Sequence, residues 1–342
     1  MIKRIDNYDL TPRNTFAMKV KCGAFMEYDS AADIPFLLSS VRKDVDTFHI
    51  GGGSNLLFTR DFPGVVFHSA IKGYEIISDE NPQDIIVRVG AGEIMDDFVR
   101  WSCDRNLWGV ENLSGIPGEV GASAVQNVGA YGTEACDSIV AVHAYDKVGR
   151  DFVTFTNEQC RYGYRDSIFK KPDSKRRYII HAVDYRLSAT KGPELSYPAL
   201  QKLFEGKDRN TITPNDVRAA VIATRDSKLP DPSVTPSAGS FFKNPVISDN
   251  SFHRLCETIG SHEPPHYKVD GGYKIPAAWL IDQCGWKGYE DGNVAVWRLQ
   301  PLVIVNPKRE ATPDEVIALE RKIIQSVRDR FGITLSPEVE HI

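Results

Sequence analysis

Six glycines, at positions 109, 115, 118, 121, 129 and 132, fall within the run 107–132, LWGVENLSGIPGEVGASAVQNVGAYG. Its only charged residues are Glu111 and Glu119, and it shows neither a helical nor a strand period. Glycine at this density suits backbone that approaches a ligand closely or adopts positive φ. Ordinary connections are far shorter, and longer ones are functional or disordered. Ile116, Val120, Val125, Val128 and Tyr131 supply apolar anchors, which argues against disorder. The remaining reading is an ordered wrap around an extended, phosphorylated ligand. A second cluster, Gly51-Gly52-Gly53-Ser54-Asn55, follows an expected strand over Asp46–Ile50. Consecutive small residues there expose a row of backbone N–H groups, which can form a concave anion site. The cluster is not GxGxxG and no helix is expected after it, so the Rossmann fingerprint is absent. Alone it could equally be a hairpin turn; the two clusters together point to a large phosphorylated cofactor.

A third grouping crowds Arg161, Tyr162, Tyr164, Arg165 and Asp166 into six positions. A guanidinium can hold a carboxylate through two parallel hydrogen bonds and stays charged. The same grouping could be a surface salt-bridge patch. His262-Glu263-Pro264-Pro265-His266 fits HExxH. That pattern binds zinc only on a helix, which the two interior prolines forbid, so no metal is expected. Tyr8, Phe16, Trp108 and Trp297 are expected in the core rather than as cofactor platforms.

The elements that must position these groups form a mixed α/β series without internal repeats. Thr213-Pro214-Asn215-Asp216 and Thr312-Pro313-Asp314-Glu315 each combine a capping Thr, a first-turn Pro and an acid three residues on, so each predicts a helix start. The second opens a long helix with Val316, Leu319, Ile323, Val327 and Phe331 on one face. A further helix is expected from Glu93 to about Asn106, after a strand over Ile85–Val89. Strands are expected at 64–69, 139–145, 152–156, 178–187 and 294–305, with a hairpin turn at Asp146–Gly149. The proline-rich stretch Leu229–Pro236 reads as a linker and a domain boundary.

At 342 residues the chain is long for one core, and two or three domains are expected. The hydrophobic share of 42% and charged share of 25% are those of a soluble globular protein. A net charge of −5 argues against a general nucleic-acid binder, so an anionic ligand needs local basic groups. The six cysteines show no CxxC and suit a reduced compartment. With no signal peptide and no apolar run of membrane-spanning length, the expected location is cytoplasmic, with no membrane partner.

GGGSN at 51–55 and IPGEVGASAVQNVGAYG at 116–132 resemble the FAD-binding loops of vanillyl-alcohol-oxidase-type flavoproteins. They resemble more closely those of the UDP-N-acetylenolpyruvoylglucosamine reductase family. The resemblance runs over nearly the whole chain. It takes in Asn14-Thr15-Phe16, Tyr162–Ser167, Lys228–Pro232, Gly239–Pro245, Ala277–Gly285 and Pro337-Glu338-Val339. It implies a two-part FAD-binding region, residues 1–71 (with 333–342 returning to it as a strand) and 72–229, and an α/β substrate-binding domain over 230–332.

The family reduces the enol ether of UDP-N-acetylglucosamine-enolpyruvate to UDP-N-acetylmuramate, using NADPH through non-covalent FAD. Hydride added to the β-carbon leaves negative charge on the α-carbon beside a carboxylate, which calls for charge stabilisation and a proton donor. By resemblance Arg165 takes the carboxylate and Ser240 gives the proton; a hydroxyl suffices against so basic an acceptor. Glu338 would polarise the carboxylate from the other side, and to do so without repulsion it should carry or share a proton. The resemblance assigns FAD contacts to Gly51, Gly52, Gly53, Ser54, Asn55, Gly118, Gly121, Ala122, Ser123, Asn127, Gly129, Ala130 and Tyr131, and to Arg225 on the 213–228 helix. It assigns substrate contacts to Tyr164, Tyr197, Lys228, Asn244, Lys287 and Gln300. Tyr197 lies in a segment (about 189–211) that matches the family form with a mobile tyrosine loop. Lys228 could equally be an exposed helix-end lysine.

Glu340-His341 follow Pro337-Glu338-Val339 where the family carries an arginine, and Ala124 stands where a proline is common. Neither departure touches Arg165, Ser240 or Glu338. Other classes consistent with parts of the pattern are another FAD oxidase or dehydrogenase on the same scaffold, and a non-catalytic UDP-sugar or flavin binder. The Gly239–Pro245 and 337–339 segments disfavour the first, and the presence of all three reacting residues disfavours the second. The family implies a monomer.

Overall fold

The computed structural model describes residues 1–260 and 263–342. The chain forms two units. The first comprises Met1–Tyr8, Cys22–Gly52 and Phe62–Arg225; the second comprises Asp9–Lys21, Gly53–Asp61 and Asp226–Ile342. Both mix helices and strands, the expected α/β class.

The first unit is built on two sheets. One has four strands in the order Ile2–Asp9, Lys21–Tyr28, Phe62–Ser69 and Thr47–Ile50, with the 62–69 strand parallel to 21–28 and to 47–50. Ala24, Met26, Tyr28, Val65 and Phe67 bury one face with Ile34 and Leu37 of the helix Ile34–Ser39. The second sheet has five strands in the order Asp151–Thr156, Ile139–Asp146, Tyr178–Leu187, Ile85–Gly90 and Tyr74–Ser78. Its first two strands form the hairpin expected around 146–149. Val87, Val89, Val142, Val183 and Tyr185 pack against Phe98 and Val99 of the helix Met95–Cys103. Each such side chain contributes roughly 1.5–3 kcal/mol of burial.

The glycine run is more regular than its composition predicts. It contains the short helix Val120–Gln126, closed by Asn127 at φ 46°. Small residues make that helix possible by letting it lie against the backbone at Ala91. A Cβ on Gly121 would stand 3.0 Å from the Ala91 Cβ, while the Gly121 amide donates to the Ala91 carbonyl at 2.9 Å. A two-residue hairpin, Gly129–Ala130 with Thr133–Glu134, follows.

In the second unit the strands Ser237–Ser240, Val303–Val305, Val294–Val296 and Glu290–Asp291 form one sheet in that order. The single strand expected over 294–305 is thus two antiparallel strands, 294–296 and 303–305. The cause is Pro301, which has no N–H to give a ladder; the Val303 amide instead closes a turn on the Gln300 carbonyl. The helix Pro313–Phe331 starts at Thr312, whose hydroxyl accepts from the Glu315 amide in a capping box, and it buries Val316, Leu319, Ile323 and Val327. The two-residue strand Glu340–His341 pairs in parallel with Leu56–Leu57. Among the aromatics expected in the core, Phe16 and Trp108 are buried, while Tyr8 and Trp297 are partly exposed. Among the described residues no helix is long and apolar enough to cross a membrane.

Candidate functional site

In the first unit the two glycine clusters meet face to face. A Cβ on Gly52 would lie 3.1 Å from the Gly118 Cα, and one on Gly51 would lie 3.2 Å from the Ala122 Cβ. Gly118 has φ 120°, a conformation that favours glycine. Two glycine turns this close bring backbone within reach of a ligand, with the Glu119 carboxylate 3.4 Å from the Gly51 Cβ position. The residues present therefore fit the pyrophosphate of a flavin dinucleotide.

Arg165 sits at the tip of a tight turn in which Gly163 and Asp166 exchange both backbone hydrogen bonds at 3.0 Å. Its φ of 53° places a bulky residue in the left-handed region, at a cost of roughly 1–2 kcal/mol. Such strain is characteristic of functional positions. The guanidinium donates to the Gly129 carbonyl at 2.5 Å and the Asn127 carbonyl at 3.3 Å, and Glu134 lies 3.7 Å away. Tyr164 lies beneath it, 5.3 Å from ring centre to guanidinium carbon. Asn127 grips the turn in return: its amide donates to the Gly163 carbonyl at 3.0 Å and to Glu134 at 2.9 Å, and its oxygen accepts from the Cys136 amide at 2.9 Å. The structure thus brings Arg165, Tyr164, Asn127 and Gly129 together. Beneath the turn, burial pushes the Cys160 thiol up to about 11 and raises the Tyr162 phenol too, so both stay neutral.

Other members of the first unit have structural partners. The Ser123 hydroxyl is buried against the Tyr185 hydroxyl at 2.8 Å. Ala130 belongs to the short hairpin, and the Tyr131 carbonyl accepts from Asn112 at 2.8 Å. The Tyr131 and Tyr197 rings meet edge to face at 5.2 Å, just before the helix Pro198–Leu203. Arg225, on the helix Pro214–Asp226, packs over Gly115, where a Cβ would lie 3.1 Å from its Nε.

In the second unit Ser240 ends the strand Ser237–Ser240. That strand pairs Ser237 with Val305 and Ser240 with Val303, so three steps on one strand face two on the other. The resulting bulge re-aims the side chain at its end. Gly239 supplies the required φ of 72°. Phe241 and Phe242 behind it are buried, and Phe16 meets Phe241 edge-on at 6.4 Å. Thr15 fastens the other end of the strand, its hydroxyl donating to the Ser237 carbonyl at 2.6 Å.

Glu338 lies alongside. Its amide donates to the Phe241 carbonyl at 2.8 Å, and its carbonyl accepts from the Asn55 side chain at 3.1 Å. Ser240, Glu338 and Asn55 are thereby neighbours. Gly53 in the same unit has a packing reason of its own, because a Cβ there would fall 1.9 Å from the Arg13 carbonyl oxygen. Ser54 sits in the turn that follows. Asn244 accepts from the Ala277 amide at 2.9 Å and so caps the helix Ala277–Gln283. Lys228 and Lys287 are exposed on turns, and Gln300 forms the turn between 296 and 303.

Sequence reasoning missed one arrangement. His68, 6% exposed, meets Glu27 through Nδ1 at 2.9 Å and Glu119 through Nε2 at 2.8 Å. Nothing in the spacing of 27, 68 and 119 announces this; the one available signal was an acidic residue inside the glycine run. Of the HExxH pattern, His262 lies outside the described residues, and among the described residues no group of three or more His, Cys, Asp or Glu could hold a metal.

The chain matches two family domains: an FAD binding domain over residues 24–152, and the UDP-N-acetylenolpyruvoylglucosamine reductase C-terminal domain over residues 231–342. It is 46% identical to the UDP-N-acetylenolpyruvoylglucosamine reductase of Bacteroides fragilis strain YCH46, covering 98% of this chain and 99% of that protein. It is 44% identical to the protein of the same name from Chromobacterium violaceum, over 96% of each chain. The crystal structure of UDP-N-acetylenolpyruvylglucosamine reductase from Thermus caldophilus shares the fold, with a TM-score of 0.67 at 21% identity over 100% of this chain and 98% of that one. The chain belongs to the UDP-N-acetylenolpyruvoylglucosamine reductase family.

Proposed function

We propose that this chain reduces the enol ether of UDP-N-acetylglucosamine-enolpyruvate to UDP-N-acetylmuramate in peptidoglycan biosynthesis, with FAD as bound cofactor and NADPH as reductant. The observation that carries the reading is the bond from the Glu338 amide to the carbonyl of Phe241, the residue after Ser240, in a chain 46% identical to curated reductases. Bound FAD would supply the hydride chemistry that links the nicotinamide to the β-carbon of the substrate. Ser240 gives the proton that the α-carbon then takes, because a carbanion beside a carboxylate is basic enough to draw one from a hydroxyl. Arg165 takes the substrate carboxylate through its guanidinium fork and holds the charge that spreads into it. Glu338 hydrogen-bonds the same carboxylate. Buried Phe241 and Phe242 keep water from the Ser240 end of the strand.

The glycine clusters around Gly51, Gly52 and Gly118 seat the flavin pyrophosphate; Gly121, Ala122, Ser123, Asn127, Gly129, Ala130, Tyr131, Ser54 and Arg225 complete that region by family likeness. Tyr164, Tyr197, Lys228, Asn244, Lys287 and Gln300 serve the UDP-sugar. Residues 1–71 with 333–342, and 72–229, form the FAD-binding region, and 230–332 form the substrate domain. The protein acts as a cytoplasmic monomer.

The test is anaerobic. The bound flavin is reduced with NADPH, excess nucleotide is removed, and UDP-N-acetylglucosamine-enolpyruvate is added while the visible absorbance is followed. Rapid return of the oxidised spectrum in wild type, with Ser240→Ala reducing normally but failing to reoxidise, is the expected result. No return in wild type overturns the reading.

A further inference from the structure

The Glu27–His68–Glu119 group lies under the meeting point of the two glycine clusters, outside the reacting residues. Both ring nitrogens of His68 face carboxylate oxygens, at 2.9 and 2.8 Å. A neutral imidazole has one N–H, so it can satisfy only one of them; the other contact would set a lone pair against an anion. The three side chains thus form one hydrogen-bonded group. Around it stand Tyr28 and Glu27 on the strand 21–28, His49 on the strand 47–50 with Lys147 beyond it, and the Phe25 ring, stacked on His68 at 6.0 Å.

Glu119 is the member that reaches the cofactor loops. Its backbone is stitched in place: the Gly118 carbonyl accepts from the Met95 amide at 3.0 Å, and the Glu119 carbonyl accepts from the Ser123 amide at 2.9 Å. Its carboxylate lies where a side chain of Gly51 would be, 3.4 Å from that Cβ position. One oxygen is thus on His68 and the other faces the 51–52 turn.

We propose that Glu119, clamped by His68, is a positioning residue that ties the Gly118 turn to the strand 62–69 beside the Gly51–Gly52 turn and so shapes the seat for the FAD pyrophosphate. The proposal rests on the FAD reading above. It has a signature that electrostatics alone does not share. A carboxylate beside a pyrophosphate repels it, so deleting a bystander Glu119 leaves FAD binding unchanged or tightens it. Deleting a tie weakens binding. Glu119→Gln keeps the tie: its amide donates to Nε2 while Nδ1–H donates to Glu27.

The experiment is titration of the apoprotein with FAD, following flavin fluorescence, for wild type, Glu119→Ala, Glu119→Asp and Glu119→Gln, with the thermal midpoint of each apoprotein measured alongside. Glu119→Ala, and Glu119→Asp with its shorter reach, are expected to bind FAD at least about ten-fold more weakly, and Glu119→Gln within about three-fold of wild type. Binding by Glu119→Ala equal to or tighter than wild type overturns the proposal, and so does a folded Glu119→Gln that loses FAD. Should Glu119→Ala fail to fold, the Asp and Gln variants carry the same decision. A wild-type apoprotein that binds no FAD rejects the cofactor reading itself, a result distinct from any of these.

Discussion

The Glu338 amide donates to the Phe241 carbonyl at 2.8 Å, which fixes Glu338 beside the residue that follows Ser240. If Glu338 supplies a hydrogen-bonding proton to the substrate, Glu338→Gln should slow flavin reoxidation by at least about ten-fold, with reduction by NADPH unchanged. Single-turnover absorbance separates the two half-reactions. Near-full reoxidation in the variant removes Glu338 from the mechanism.

Asn55 was assigned to the cofactor by family likeness, yet its side chain donates to the Glu338 carbonyl. Asn55→Ala loses that bond, worth about 1 kcal/mol. If Asn55 acts through Glu338, the variant keeps its flavin and slows in the substrate half-reaction. If it acts on the cofactor, flavin content after gel filtration falls instead.

Arg165 holds two loop carbonyls through separate guanidinium nitrogens. A lysine has no such fork. Arg165→Lys is expected to raise KM for the enolpyruvyl substrate by at least about ten-fold, while leaving flavin reduction within about two-fold of wild type. Steady-state kinetics with NADPH held saturating checks this.

Two glycines with similar positive φ should respond differently to alanine. Gly53 (φ 63°) has the Arg13 carbonyl oxygen 1.9 Å from its Cβ position, whereas Gly239 (φ 72°) has nothing within 4 Å. Gly53→Ala should cost about 3 kcal/mol or more, through steric clash added to strain, and Gly239→Ala only about 1 kcal/mol. Urea unfolding midpoints compare them directly.

The fold should weaken in mild acid. Burial lowers His49 to about 3, helped by the positive neighbours His68 and Lys147, and lowers His181 to about 4, helped by His143 and Arg88 against Asp184. Below their ordinary value of 6.5 the unfolded chain takes protons that the folded chain refuses, so stability is lost as pH falls and is unaffected above it. Between pH 6.5 and 5 the loss from the two together should be on the order of 3 kcal/mol. His49→Gln, which still offers the Tyr28 hydroxyl an acceptor, should flatten the acid limb of a denaturation series.

Elements with local signals were legible. Thr312 with Pro313 and Glu315 marks a helix start in any context, and the apolar face from Val316 to Val327 fixes its burial. Four strands of the five-stranded sheet were read for the same reason, and the edge strand Tyr74–Ser78 was not. The 294–305 segment was misjudged because apolar content hid a turn made by Pro301 and the Gln300 carbonyl. Within the glycine run, small residues signalled close approach correctly, but not that Gly121 spends it on Ala91. His68 was invisible because its partners come from positions 27 and 119, joined only by the sheet and loop packing.

The pairing of Glu340–His341 with Leu56–Leu57 has a consequence for synthesis on the ribosome. The second unit draws on residues 9–21 and 53–61, yet most of it follows residue 226. Its early segments must wait, without their partners, while the intervening first unit emerges and folds. Contacts across such sequence separations form late. The bonds that fix Glu338 to the Phe241 carbonyl and to the Asn55 side chain close last, so a chain released early from translation holds its glycine turns but lacks the braced glutamate. On a nascent chain the Gly51–Gly52 and Gly118 turns can therefore form before Glu338 is braced.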